Sequence, residues 1–307
     1  MVLAGGPRLC RDTALASAGR LRPKGTADRD REPAGRPLPC GGPTRSDVGD
    51  AVPAGAAGQP GGDAEAGNVK DWIYVSNESL HQIIFGMEPG ANFKHSNQYR
   101  TIFGADELLY VLSGVLVISN PETGEVQKIS KGESVFFRKD TWHHAFNFSN
   151  EYLQVLEFFS PPPITGTSGA YGKKQKLLTH SIYNRNKENT NDVSFINQKS
   201  FKTIKENDYI WSIDGPNQET LIGTLIRTEF LDVRIITLGA FKKSHIFEYD
   251  KNTSYLSLDD NLKVRIIKEK NCYNLEKKDG LYIPSLTQFT IENLNNYEAR
   301  IIICVGL

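Results

Sequence analysis

Two short stretches, eighteen residues apart, constrain the fold of this 307-residue chain more than any other feature. The first runs from Asp106 to Gly114 and the second from Gly132 to Asn147. The apolar residues around the first stretch, 108–118, predict a long strand that bends at Gly114, where a β-barrel strand can turn. Residues 134–137, in the second stretch, predict another strand. Together they predict a small β-structure rather than a helical domain.

The chain after residue 70 has the same character throughout. Short apolar runs alternate with turn residues, such as Pro121 and Gly124, at the spacing of a β-sandwich or barrel. No amphipathic helix of useful length interrupts the pattern, so the predicted fold is all-β. The other predicted strands are 72–75, 82–85, 126–129, 144–148, 152–159, 219–224, 233–238, 262–267 and 297–305.

The chain divides by composition into four parts. Residues 1–70 contain no Phe, Tyr, Trp or Ile, so they bury too little apolar surface to offset the entropy of ordering, and we predict a disordered leader. An organelle transit peptide is the functional alternative for it. Residues 71–163 form a first β-domain, 164–206 a linker or irregular crossover, and 207–307 a second β-domain.

Charge and cysteine content restrict the class of protein. The formal net charge is zero, which argues against nucleic acid or an anionic membrane surface as a partner. No apolar run reaches the length that crosses a bilayer. The four cysteines show no C-x-x-C spacing, which favours a reduced, cytoplasmic protein. The expected partners are a small-molecule ligand or substrate and a second copy of the chain in a homodimer.

The two opening stretches resemble the paired motifs of the cupin superfamily, whose fold is an RmlC-like jelly-roll β-barrel, also called a double-stranded β-helix. In the first motif a Glu precedes a Gly by seven residues, as Glu107 precedes Gly114. In the second motif His and Asn follow a Gly at offsets eleven and fifteen, as His143 and Asn147 follow Gly132. The resemblance implies a cupin barrel at residues 71–163.

The resemblance also implies a divalent metal, although part of the ligand pattern is absent. The positions of the first motif's two histidines hold Arg100 and Ile102, and the nearest histidine is His95. If His95 takes a vacant place, the ligands are His95, Glu107 and His143. Two imidazoles and one carboxylate on one face of an octahedral ion suit Fe(II) or Mn(II). The alternative is that Glu107 and His143 only hydrogen-bond inside the barrel.

Other residues near these motifs are candidates for ligand contact. His143 and His144 are neighbours, so on a strand only one faces the interior; the spacing from Gly132 selects His143 and places His144 outside or at the rim. Four residues are substrate-binding candidates, since they could clamp an anion, support a histidine base or wall the pocket. These are Arg100, Tyr110, Arg138 and Trp142.

The second β-domain resembles a degenerate cupin, which would make the chain a bicupin. His245 is its only candidate ligand from the first motif, the second-motif histidine falls near Gln288 or Phe289, and Asn293 matches the trailing Asn. We therefore expect this domain to hold no metal.

Three functions remain open on sequence alone. The first is a metal-dependent enzyme, for example a non-haem Fe(II) or Mn(II) dioxygenase, an oxidoreductase acting on a small organic molecule. The second is a non-catalytic, storage-like binder, and the third is a metal-free sugar isomerase or epimerase that uses His143 with Tyr110.

Overall fold

The structure, a computed structural model, describes residues 19–21, 69–93, 104–161 and 199–307. Within these ranges the regular structure is twenty strands and one 3-10 turn at Glu206–Asp208, which confirms the all-β prediction. The strands are β1 (Gly19–Leu21), β2 (Val69–Ser76), β3 (His81–Met87), β4 (Asn92–Phe93), β5 (Asp106–Ser113), β6 (Val115–Asn120), β7 (Glu125–Ser130), β8 (Ser134–Phe137), β9 (His144–Phe146), β10 (Leu153–Ser160), β11 (Lys202–Ile204), β12 (Ile210–Asp214), β13 (Thr220–Arg227), β14 (Leu231–Leu238), β15 (Thr253–Ser257), β16 (Leu262–Ile266), β17 (Cys272–Leu275), β18 (Gly280–Ile283), β19 (Phe289–Asn293) and β20 (Ala299–Gly306).

The first of two compact units, here called the first barrel, contains β2 to β11. One sheet has the order β11-β8-β5-β10-β3-β2, and the other has the order β4-β9-β6-β7. Both sheets contribute to one buried apolar cluster, so they face each other across a shared core. Its members include Phe85, Leu109 and Val155 from the first sheet and Ile118 and Ala145 from the second. This is the two-sheet jelly-roll arrangement expected from the sequence.

Strand alternation fixes which side chains of the first barrel face its interior. Leu109 and Val111 on β5 belong to the core, as does Val155 on β10. Because every second residue shares a face, Glu107 and Glu157 also point inward. Two acidic side chains therefore lie beside apolar core residues on the inner face of this sheet.

The second unit, here called the second barrel, contains β1 and most of β12 to β20. Its larger sheet has the order β1-β18-β15-β20-β14-β13-β12, and its smaller sheet has the order β17-β16-β19. Its apolar core includes Ile236, Tyr255, Val264, Phe289 and Ile303. The two sheets share that core in the same way as those of the first barrel.

A constant shift of 146 positions relates the paired strands of the two barrels. Glu157 on β10 lies opposite Leu109 on β5, and Ile303 on β20 lies opposite Tyr255 on β15. Tyr255 lies 146 positions after Leu109, and Ile303 lies 146 positions after Glu157. The two barrels are therefore copies of one strand arrangement, within a single chain.

The trailing asparagines of the two barrels have the same hydrogen-bond role. The side-chain amide nitrogen of Asn147 donates to three backbone carbonyls, and that of Asn293 also donates to three. The acceptors are Met87, Glu88 and Glu151 in the first barrel and Leu238, Gly239 and Tyr297 in the second. Each asparagine fastens two loops, and this role belongs to the scaffold rather than to a ligand site.

Two strands lie where the sequence predicted irregular chain. Residues 164–198 of the predicted linker lie outside the described residues, but β11, near its end, pairs with β8 of the first barrel. Within the predicted leader, Gly19–Leu21 pair with β18 of the second barrel, and the rest of it up to residue 68 is outside the described ranges. Where the structure is described, no helix is both long and apolar enough to span a membrane.

Candidate metal centre

Two carboxyl groups meet on the inner face of the first barrel. Glu107 lies opposite Phe159 and Glu157 lies opposite Leu109, so the two glutamates are diagonal neighbours across β5 and β10. Diagonal neighbours are within reach of each other when their side chains are long. Both residues are buried, and their carboxyl groups are close enough to form a hydrogen bond when one of them is protonated.

His143 completes the cluster from the opposite sheet. It directly precedes β9, after a turn in which Asp140 has a positive φ of 68°. The imidazole packs against the Phe137 ring with centroids 4.6 Å apart, and its Nε2 lies 3.8 Å from Oε2 of Glu107. Its Nδ1 lies 3.2 Å from the carbonyl oxygen of Thr141. Because a carbonyl only accepts, Nδ1 carries the proton, and the lone pair of Nε2 faces Glu107.

Burial sets the protonation of these groups. It lowers the pKa of His143 to about 4, against a smaller opposing effect of the Thr141 carbonyl, so the ring is neutral at pH 7. Burial, followed by the charge and hydrogen bond of Glu157 and the charge of Asp106, raises the pKa of Glu107 well above its usual range. Burial and the charge of Asp71 raise the pKa of Glu157 to about 8. The two carboxyl groups lie close enough to share a proton.

The cluster fits a divalent transition metal. One ligand atom from each of Glu107, His143 and Glu157 can be chosen so that all lie within 4.8 Å of one another. Bonds of about 2.0–2.2 Å to a shared ion bring ligand atoms roughly 3–4 Å apart, so only small side-chain movements are needed. Oε2 of Glu107 is buried and accepts no hydrogen bond, which leaves it available to a cation. In the described residues this is the one such group of three acidic, histidine or cysteine side chains.

The structure describes two of the three predicted metal ligands. Glu107 and His143 come together, while His95 lies outside the described residues. Glu157 takes part instead, and the sequence analysis did not select it. Its signal was an acid in the middle of the apolar run 153–159, two positions from Val155 on the same face.

The three predicted substrate-binding residues that the structure describes do not lie at this cluster. Arg100 lies outside the described residues. Tyr110 and Trp142 are buried. Tyr110 alternates with the inward-facing Leu109 and Val111, and the Trp142 ring lies edge-on to that of His144 with centroids 5.3 Å apart. The side chain of Arg138 is 46% exposed and forms ion pairs with Asp106, at 3.0 Å, and with Glu229. Strand alternation turns Tyr110 away from the pocket, whereas Arg138 and Trp142 lie in the connection between β8 and β9.

The expected exposure of His144 is wrong. The residue alternates with Ala145 of the core, as predicted, but it is only 1% exposed. The alternation of side chains along a strand predicts the face to which a residue points, but it does not predict whether other parts of the protein cover that face. The outer face of β9 is buried at this point, so His144 is not a rim residue.

The second barrel replaces all three groups of the cluster. The shift of 146 positions relates Glu107 to Thr253, His143 to Phe289 and Glu157 to Ile303. The last two replacements have no atom that binds a metal. His245 lies elsewhere, with its Nε2 3.5 Å from Oδ2 of Asp214.

Comparison with known proteins agrees with this architecture. Residues 84–159 match the family model of the cupin domain, and no curated protein matches the chain. Among solved structures, AerE from Microcystis aeruginosa aligns with a TM-score of 0.55 at 12% identity, covering 81% of this chain and 98% of its own. Ylba from E. coli aligns at 0.54 and 11%, covering 81% and 85%. A variant of oxalate decarboxylase OxdC from Bacillus subtilis aligns at 0.52 and 9%, covering 80% and 75%. At these identities the similarity concerns the fold, and the matched residues 84–159 identify a cupin domain in the first barrel.

Proposed function

We propose that the first barrel binds one divalent transition-metal ion through Glu107, His143 and Glu157 and uses it to act on a small organic molecule. The observation that carries this proposal is the convergence of three buried ligand groups whose donor atoms lie within 4.8 Å of one another. Buried acids and histidines without a cation are costly, and a shared ion removes that cost. His95 is a further ligand candidate, from the sequence alone.

The donor set narrows the choice of metal. Two carboxylates and one imidazole form a harder set than the two imidazoles and one carboxylate expected from the sequence, and such ligands suit Mn(II) before Fe(II). The carbonyl of Thr141 fixes the tautomer of His143, and Phe137 supports its ring, so Nε2 is held ready for a metal bond. When bound, such an ion polarises a substrate oxygen or holds substrate and O₂ side by side.

Two observations bear on the substrate class: the size of the site and the solved structures that share the fold. The cluster is buried inside a small barrel, which favours a compact molecule over a polymer. One solved structure with this fold is an oxalate decarboxylase, so small carboxylic acids are the first class to test. A dioxygenase reaction on such an acid is the leading chemistry and a non-oxidative reaction is the second.

The metal-free isomerase is less favoured. That mechanism needs a histidine that takes up a proton near pH 7, and burial lowers the pKa of His143 to about 4. A non-catalytic binder shares the metal site with our proposal and differs only in turnover. Activity measurements therefore separate these two.

Metal analysis tests the proposal directly. Untagged protein should take up one Mn(II) or Fe(II) per chain, and Glu107→Gln and His143→Ala should each lose it. His245→Ala, in the second barrel, is the matched control and should keep full metal content. Failure of the wild-type protein to bind either ion after reconstitution would refute the proposal.

A further inference from the structure

The inner face of the first barrel is open to solvent along one edge. On a single row across the sheet, Ile73 on β2 lies opposite Ile83 on β3, which lies opposite Glu157 on β10. Ile73 is 45% exposed, Ile83 is partly buried and Glu157 is 7% exposed. Asp71, two residues before Ile73 and on the same face, is exposed as well. Exposure thus falls step by step from the β2 edge towards the candidate metal centre.

The neighbouring row carries a histidine that the candidate centre does not use. His81 on β3 lies opposite Phe159 on β10, which lies opposite Glu107 on β5. The three side chains therefore share the inner face, and the His81 ring meets that of Phe159 edge-on with centroids 5.5 Å apart. His81 is partly buried, and its ring forms no hydrogen bond or ion pair with the residues that the structure describes. Burial lowers its pKa to about 4, so the ring is neutral and offers one donor and one acceptor.

We propose that ligands reach the candidate metal centre over Ile73 and Ile83, and that His81 is a specificity-determining residue that hydrogen-bonds them there. This inference rests on the proposed function. A polar group beside an apolar path suits a ligand that can form a hydrogen bond with it. Ile73 and Ile83 are apolar, so His81 is the residue beside them that would select the polar end of the ligand.

The spacing of the strands gives the length of the ligand. His81 and Glu107 are two strands apart, about 9–10 Å. A metal–oxygen bond takes up about 2 Å of this distance and a hydrogen bond about 3 Å. Roughly 4–5 Å remain, which fits a chain of about three carbons with a carboxylate at one end and a hydroxyl or similar group at the other.

A matched pair of ligands tests the role of His81. In the Mn(II)-loaded protein, 3-hydroxypropanoate should bind about tenfold more tightly than propanoate, because only the former reaches His81 with a polar group. Binding is followed by electron paramagnetic resonance of the Mn(II) ion. His81→Leu should retain Mn(II) and lose this preference, and His81→Asn should recover part of it. An unchanged preference in His81→Leu would overturn the assignment.

Blocking variants test the path. Ile73→Trp should slow Mn(II) uptake severalfold without changing the final stoichiometry, because a larger side chain narrows the route. Val126→Trp is the control, since Val126 is similarly exposed but lies on β7, away from the path. Equal uptake rates in the two variants would overturn the path. If the wild type binds no Mn(II), both the proposed function and this inference are overturned. If the wild type binds Mn(II) normally, but the Ile73 variant keeps its uptake rate and the His81 variant keeps its ligand preference, only this inference is overturned.

Discussion

Replacing Glu157 by Gln should remove a large part of the pH dependence of stability in the metal-free protein. Gln has nearly the shape of a protonated Glu and cannot ionise. Burial raises the pKa of Glu157 from its ordinary value of 4.5 to about 8. The folded protein therefore holds this proton more tightly than the unfolded chain does. The resulting stabilisation is complete below pH 4.5 and is lost as the pH rises through about 8.

The size of the effect follows from the width of that window. A difference of one proton between the two states changes the free energy of unfolding by about 1.4 kcal/mol per pH unit. Between pH 5 and pH 7 the unfolded chain is mostly ionised at this residue and the folded protein is not. Glu157 should therefore lower the free energy of unfolding by roughly 2–3 kcal/mol over this interval. Glutamine at this position should abolish that decrease.

Urea denaturation with a chelator present measures the effect, at pH 5 and at pH 7, for the wild type and Glu157→Gln. The quantity to compare is the difference between the two proteins, because His143 acts in the opposite direction. Its pKa is lowered to about 4, so its contribution to stability is present above pH 6.5 and is lost as the pH falls towards 4. If both proteins change by the same amount, within about 0.5 kcal/mol, Glu157 does not carry the proton and our account of the pair is wrong.

Three further outcomes follow from the structure. His143→Ala should abolish Mn(II) binding in calorimetry, whereas His144→Ala should keep it and melt at a lower temperature, because His144 is buried on the other face of the strand. Mn(II) binding at pH 7 should release protons, because Glu157 has a pKa of about 8; the observed enthalpy should then depend on the ionisation heat of the buffer. Asn147→Ala should cost roughly 2–4 kcal/mol of unfolding free energy in urea, because three carbonyls lose their donor, and Asn293→Ala should cost a similar amount.

Each of these three predictions would be contradicted by a specific result. Equal loss of metal in both histidine variants would indicate binding outside the barrel. An enthalpy independent of the buffer would mean that the ligands are already ionised in the metal-free protein. Undiminished stability in either asparagine variant would show that its loops are held by other contacts.

The fold was predictable because it depends on local patterns. Alternating apolar residues indicate strands with one buried face, and the spacing from Gly132 selects His143 as the inward histidine. The side chain of His143 does approach Glu107, with 3.8 Å between Nε2 and Oε2. Both conclusions need only the periodicity of a strand and the offsets within two motifs.

The remaining features depend on which strands become neighbours. Glu157 meets Glu107 only because β10 pairs with β5, from the other end of the domain. The pairing of β11 with β8 joins segments far apart in the chain, and its short length gives little sequence signal. The burial of His144 depends on what covers the outer face of β9, which a local pattern does not contain.

The repeat of the barrel within one chain has a consequence for measurement. The second barrel has the same strand arrangement without the cluster, because the three cluster positions hold Thr253, Phe289 and Ile303. Both barrels have the asparagine hydrogen bonds, made by Asn147 and Asn293. Both barrels share every condition of temperature, solvent and concentration in a single sample. Hydrogen exchange gives the free energy of local opening. Comparing β5 and β10 with β15 and β20 of the same molecules would therefore measure how much two buried acids lower local stability, without a reference protein. Adding metal should slow exchange in the first pair of strands and leave the second pair as its internal standard.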